Sequence, residues 1–178
     1  MRTILILGGA VALGACAMGS TGTAVDGAPG ATAQLRDAQG QPVGTATLTE
    51  RDGRVRLVVE ARGLTPGEHG IHVHAVGRCD APGFTTAGDH FNPTSRKHGL
   101  EAPEGPHAGD LPNLRADGGG ATRYEATTDR FTLSGGSRTA FDADGSALVI
   151  HARPDDQRTD PSGSSGERVA CGVIERRG

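Results

Sequence analysis

After residue 30, apolar and polar positions alternate along most of the chain with a period of two, the spacing of strands that bury one face. Residues 31–36 and 41–50 follow this rule on either side of Asp37-Ala38-Gln39-Gly40, which reads as a hairpin turn. Residues 54–61 come after the turn dipeptide Asp52-Gly53, and Leu64-Thr65-Pro66-Gly67 then breaks the chain. Further strands are predicted at 70–74, 111–116 and, after Gly118-Gly119-Gly120, 121–127. Residues 130–133 form a short edge-like segment, 147–151 a continuous apolar run ending on a histidine, and 168–174 the last strand. Two irregular stretches interrupt the series, 77–109 and 152–167, both longer than the ~12 residues beyond which an unstructured loop usually has a function. About eight short strands at this spacing predict an all-β domain over residues 31–178. Its architecture is expected to be an eight-stranded Greek-key barrel or flattened sandwich with two long functional loops.

Composition agrees. Aromatics are 3% of the chain and there is no Trp, so the core must be built from Val, Ile, Leu and Ala. The 29 glycines among 178 residues are twice the usual ~7% and, with 10 prolines, favour turns over helices. A net charge of −3 provides no basic surface for nucleic acid.

The first sixteen residues read as an address. Arg2 precedes an apolar run from residue 4 to 15, too short to span a bilayer but suited to the core of a signal peptide. It ends in Leu13-Gly14-Ala15-Cys16, which resembles a bacterial lipobox, where the cysteine is lipidated and becomes the mature N-terminus. Cleavage at an ordinary small-residue site, with Cys16 lost or free, is the alternative. Residues 17–30 are Gly, Ser, Thr and Ala with little else, a flexible tether of roughly 20 Å reach. The expected location is the periplasm or cell envelope, with the membrane touched only through lipid at Cys16. With Cys16 lipidated, Cys79 and Cys171 remain as a disulfide pair in an oxidising compartment.

Candidate chemistry centres on Gly70-Ile71-His72-Val73-His74. In a strand, His72 and His74 share one face while Ile71 and Val73 share the other, so an aliphatic core face would back an outer face carrying a metal. All seven histidines lie between positions 69 and 151. The motifs Gly70-Ile71-His72-Val73-His74, Gly88-Asp89-His90-Phe91-Asn92-Pro93, His98-Gly99, His107-Ala108-Gly109-Asp110-Leu111, Val149-Ile150-His151 and Gly166-Glu167-Arg168-Val169-Ala170-Cys171-Gly172 occur in that order. Together they resemble the copper/zinc superoxide dismutase family.

The resemblance implies disproportionation of superoxide to oxygen and hydrogen peroxide by copper redox cycling, with one copper and one structural zinc per subunit. It implies copper ligands His72, His74, His90 and His151, and zinc ligands His90, His98, His107 and Asp110. His90 would bridge the two ions and also act in catalysis by carrying a proton. Asp155 resembles the family aspartate that links His72 to His98, and Arg168 the arginine that attracts the anion beside copper. His69 matches a family position that is not a ligand, and is expected to be a buried, hydrogen-bonded structural histidine. The chemistry agrees: imidazole suits both metals, and three imidazoles with one carboxylate close a tetrahedral zinc site. The resemblance leaves monomer and homodimer both open.

Asp89 and Glu167 depart from the family pattern and would oppose an anion if they face the copper channel. The loop 152–167 has no lysine, so steering would rest on Arg153, Arg158 or the Arg96-Lys97 pair, and a modest fall of rate with salt is expected. A metal-storage module on the same fold would keep the ligands without needing Arg168, and a silent structural domain would have lost ligands.

Overall fold

The computed structural model describes residues 28–177. The signal-peptide and lipobox expectations, Cys16 included, and residues 17–27 of the tether lie outside them. Among the described residues ten strands form: β1 (Gly30–Asp37), β2 (Pro42–Arg51), β3 (Arg54–Ala61), β4 (Gly67–His69), β5 (Ile71–His74), β6 (Leu114–Ala116), β7 (Thr122–Thr128), β8 (Ala147–His151), β9 (Arg168–Val173) and β10 (Glu175–Arg176). A single helical turn, Thr85–Ala87, interrupts the first long loop.

The main sheet runs β5-β8-β9-β1-β2-β3-β7, with β10 also on β1, and every pairing is antiparallel. After β3 the chain crosses to the far edge at β5, and after β6 it returns beside β3, a Greek-key path. The small sheet β4-β6 joins the two edges, because β4 runs into β5 and β6 turns into β7.

Alternation fixes which face is inside. On β3, Val55, Leu57, Val59 and Ala61 are buried while Arg54, Arg56 and Glu60 face water; on β7, Thr122, Tyr124, Ala126 and Thr128 are buried. The core is aliphatic, with Leu35, Leu48, Leu57, Ile71, Leu148 and Ile150 fully enclosed. β8 is buried on both faces, which explains its unbroken apolar run. Its second face packs Ala147 and Val149 against Phe84, Ala87 and Cys171 of the loop and β9.

Four expectations need correction. The strand expected at 70–74 begins at Ile71, because Gly70 separates β4 from β5 and the two lie in different sheets. The β5 face bearing His72 and His74 is not outer in the sense of exposed: both are fully buried, because the long loops fold over it. Residues 130–133 are not a strand. Phe131 and Leu133 enter the core, but the Glu50 carboxylate, rather than a neighbouring strand, accepts the N–H groups of Leu133 (2.8 Å) and Ser134 (2.7 Å). The strand expected at 111–116 starts only at Leu114, since Pro112 has no N–H to give a ladder and Asn113 is committed to the second long loop.

Candidate metal centre

Strand β5 supplies His72 and His74, and β8 supplies His151 from the neighbouring strand. The first long loop is pegged to β5 by its backbone. Val73 donates to the Gly109 carbonyl (2.9 Å) and Phe91 donates to Val73 (2.8 Å). Gly109 makes this approach possible, because a Cβ there would stand 2.1 Å from the Val73 oxygen. His90 and Asp110 are thereby laid directly against His74 and His72.

Two groups of side chains result. In each, one ligand atom per residue lies within 4.8 Å of all the others: His72, His74, His90 and His151 in one, His90, His98, His107 and Asp110 in the other. All seven residues are buried. His90 is common to both, and its ring is divided between them: Nδ1 lies 2.9 Å from Asp110 Oδ1, leaving Nε2 for the other group.

Asp110 Oδ1 is met by three imidazole nitrogens, Nδ1 of His90 at 2.9 Å, of His98 at 3.1 Å and of His107 at 3.4 Å. One carboxylate oxygen cannot accept three such bonds well, but the spacing matches the ~3.3 Å edge of a tetrahedron of ligands about 2.0 Å from zinc. Oδ2 accepts the backbone N–H groups of Gly99 (2.8 Å) and His107 (2.9 Å), which leaves Oδ1 for the metal.

The four-imidazole group passes a second test of fit. His72 Nδ1 and Nε2 of His74, His90 and His151 are buried without a hydrogen-bond partner in the protein, an expensive arrangement unless they hold an ion. Each opposite nitrogen is anchored. His74 Nδ1 donates to the Gly88 carbonyl (2.9 Å), His151 Nδ1 to Gly166 (3.2 Å), and His72 Nε2 to Asp155 Oδ2 (2.7 Å). These bonds fix the tautomers so that lone pairs point inward.

The protonation states suit ligands. Burial, with smaller help from neighbouring imidazoles, lowers His74 well below its ordinary value and takes His151 to about 3. Burial takes His90 to about 4, the Asp110 bond offsetting only part of it. For Asp110 burial works upward, but the hydrogen bonds from His107, His90 and His98 outweigh it and hold the carboxyl well below its usual range. At neutral pH His74, His90 and His151 are therefore neutral imidazoles and Asp110 a carboxylate, the forms that bind metal. His98, by contrast, which burial lowers but Asp110 and Asp155 raise to about 9, gives up a proton on binding metal.

The sequence model of the family described as copper/zinc superoxide dismutase (SODC) matches residues 43–174. The chain belongs to the copper/zinc superoxide dismutase family. It is 43% identical over 145 residues to superoxide dismutase (Cu-Zn) 1 of Aquifex aeolicus, covering 80% of this chain and 86% of that one. Superoxide dismutase (Cu-Zn) of Caulobacter vibrioides is 45% identical over 148 residues, covering 82% and 85%. The crystal structure of a SOD-like protein from Bacillus subtilis superposes with a TM-score of 0.77 at 37% identity, covering 80% of this chain and 96% of that one. Membership defines the class of chemistry: a superoxide dismutase, an oxidoreductase that works with copper and zinc.

Asp155 lies between the two groups. Its Oδ2 meets His72 and its Oδ1 accepts from His98 Nε2 (3.0 Å), so one carboxylate joins a residue of each. Gly163 makes room for it, since a Cβ there would overlap Asp155 Oδ1 at 1.7 Å. Asn113 clamps the Asp155 peptide from both sides, accepting its N–H at 2.9 Å and donating to its carbonyl at 2.8 Å. Sequence reasoning missed Asn113 and also Arg130, whose half-buried guanidinium donates to the Asp110 carbonyl from behind the dismutase metal groups. A polar residue within a loop motif and an arginine in an apolar segment were the available signals.

Arg168 is half-buried at the wall of an open cleft of about 800 Å³ that reaches His74, His90 and His151. Its two Nη atoms donate to the Phe84 and Gly88 carbonyls, each at 2.7 Å. Cys79 is bonded to Cys171, with Cα atoms 5.6 Å apart, tying the start of the long loop to β9 beside this arginine. His69 stands outside both groups, buried, with Nδ1 donating to the His151 carbonyl (2.6 Å) and Nε2 2.8 Å from that of Thr65. Two of the expected steering cations are paired: Arg158 with Glu101 and Lys97 with Asp160. Asp89 lines the same cleft as Arg168 and the histidines, whereas Glu167 lines a second groove with Asp37, Gly83 and the other side of Arg168, away from the histidines.

Proposed function

We propose that His72, His74, His90 and His151 hold the copper of this superoxide dismutase and that His90, His98, His107 and Asp110 hold its zinc. The observation carrying this reading is the His90 ring, one nitrogen in each buried group. Bound copper supplies the one-electron couple that oxidises one superoxide to oxygen and, with two protons, reduces a second to hydrogen peroxide. Zinc, with all four ligands from the protein, has a structural part.

The remaining roles belong to side chains. Arg168 binds and orients the anion: its guanidinium is held by two loop carbonyls and faces the cleft that leads to His90 and His151. The Gly88 carbonyl accepts from both Arg168 and His74, so the anion site and one copper ligand keep a fixed relation. His90 Nε2, at the head of the cleft, is placed to hold a proton and deliver it to the reduced product. Asp155 positions His72 and His98 through their outer nitrogens.

We also propose that the enzyme serves in antioxidant defence in a bacterial cell envelope, lipid-anchored through Cys16 and held off the membrane by residues 17–30. The Cys79–Cys171 disulfide supports an oxidising compartment. The test is superoxide removal by the copper- and zinc-loaded protein compared with Arg168→Ala and His72→Ala. Wild type should be much the fastest, with Arg168→Ala retaining its metals. A wild type no faster than His72→Ala would favour metal storage.

A further inference from the structure

We propose that Asp89 slows superoxide capture by opposing Arg168 at the mouth of the copper cleft. This rests on the reading that the anion arrives beside Arg168. Asp89, Arg168, His90 and His151 line one cleft, and the Asp89 side chain is exposed to its solvent while His90, the next residue, is buried. The Asp89 carbonyl accepts the Ala75 N–H at 2.9 Å, which fixes this stretch of loop just beyond the end of β5.

The charges around the cleft do not cancel evenly. Arg96, Lys97 and Arg168 line it together with Asp89, Asp142, Asp144 and Asp160. Lys97 is engaged by Asp160, and Arg96 places one Nη on the Gly105 carbonyl (2.9 Å). Among the described residues, no basic side chain lies within 4.0 Å of Asp89, Asp142 or Asp144. Asp89 is thus an unpaired carboxylate in the cleft that Arg168 also lines. Burial lowers Arg168 from its ordinary value and the Asp89 charge acts in the opposite direction, so the two groups feel one another across the cleft.

An anion approaching Arg168 therefore passes the Asp89 field. A low-dielectric cleft focuses such fields, and one unit charge several ångströms from a monovalent anion alters its encounter rate by about two- to fourfold. Glu167 is less effective despite being next to Arg168 in sequence, because the groove it borders, although Arg168 lines it too, includes none of His74, His90 and His151.

The test uses the copper- and zinc-loaded enzyme and its Asp89→Asn variant. The second-order rate constant with superoxide is measured at low ionic strength and again near 1 M, where the Debye length falls to about 3 Å. Asp89→Asn should be about two- to fourfold faster at low salt, with the ratio falling to near one at high salt. Glu175→Gln, on exposed β10, changes the net charge equally and should leave the rate unchanged. A second readout is azide affinity followed by absorbance titration, which should tighten in Asp89→Asn by a similar factor. No gain at low salt, a gain that persists at 1 M, or an equal gain in Glu175→Gln would overturn the proposal. A wild type without dismutase activity would instead refute the function proposed above, while the azide titration would still decide the role of Asp89.

Discussion

Replacing Asp155 with Asn keeps the size of the side chain but removes one acceptor, and the contacts show which partner loses. Oδ1 takes two donors, His98 Nε2 at 3.0 Å and the Gln157 N–H at 2.6 Å, while Oδ2 takes only His72 Nε2 at 2.7 Å. The Asn oxygen should therefore stay on the side with two donors, and its NH2 should turn toward His72. A donor would then face a donor in a site where both side chains are fully buried. The least costly response is a change of His72 tautomer, with the proton moving to Nδ1, the nitrogen that points into the four-imidazole group.

Losing one hydrogen bond to a charged group costs about 1.5–3 kcal/mol. At about 1.4 kcal/mol per tenfold, that is roughly a 10–100-fold weaker copper site, the range found when groups supporting metal ligands are removed. Zinc should suffer less, because His98 keeps its acceptor. Competition against chelators of known affinity measures both constants, and a thermal scan of the loaded protein should show a fall of several degrees. Copper affinity within twofold of wild type would refute the positioning role of Asp155, and a zinc loss larger than the copper loss would refute the orientation argument.

Other outcomes follow from the same geometry. In protein stripped of metal, His90 and His151 titrate at about 4 and about 3 when folded but near 6.5 when unfolded, so stability should fall as pH drops below about 6.5. Burial lowers His98, but Asp110 and Asp155 outweigh it and raise the group to about 9, so its contribution should be lost as pH rises from 6.5 through 9. Urea midpoints should accordingly peak near pH 6–7, and a flat profile would contradict this. Cys79→Ser should cost up to about 4–5 kcal/mol in the chain-entropy model for a separation of 92 residues, read from denaturant unfolding of the loaded protein. Arg130→Met removes the bond to the Asp110 carbonyl and should weaken zinc in chelator competition about tenfold, with Arg130→Lys partly restoring it.

Much of the fold was legible because a half-buried strand has only one way to be read. In β2, β3 and β7 burial alternates along the strand and the apolar residues mark the inner face, with Glu50, Thr122 and Thr128 the polar residues buried on it. It failed where something other than a neighbouring strand satisfied the backbone, as Glu50 does for Leu133 and Ser134 from 83 and 84 residues away. The two side-chain groups were legible because their residues sit in motifs, and the residues expected together in each do lie together. Asn113 was not, since its partner Asp155 is 42 residues distant and no period connects two loops. The charge balance of the cleft was equally hidden. Arg158 and Lys97 looked free until loop packing brought Glu101 and Asp160 to them, while Asp89 and Glu167 looked alike until the fold placed only Asp89 in the cleft that reaches the histidines.

Everything proposed about the chemistry depends on His90 standing between two different ions. The most direct measurement is anomalous diffraction, at the copper and zinc absorption edges, from crystals of the loaded protein. The expected result is one copper peak among His72 Nδ1 and the Nε2 atoms of His74, His90 and His151. One zinc peak should lie among the Nδ1 atoms of His90, His98 and His107 and Asp110 Oδ1. A single peak, or two peaks without the His90 ring between them, would contradict it.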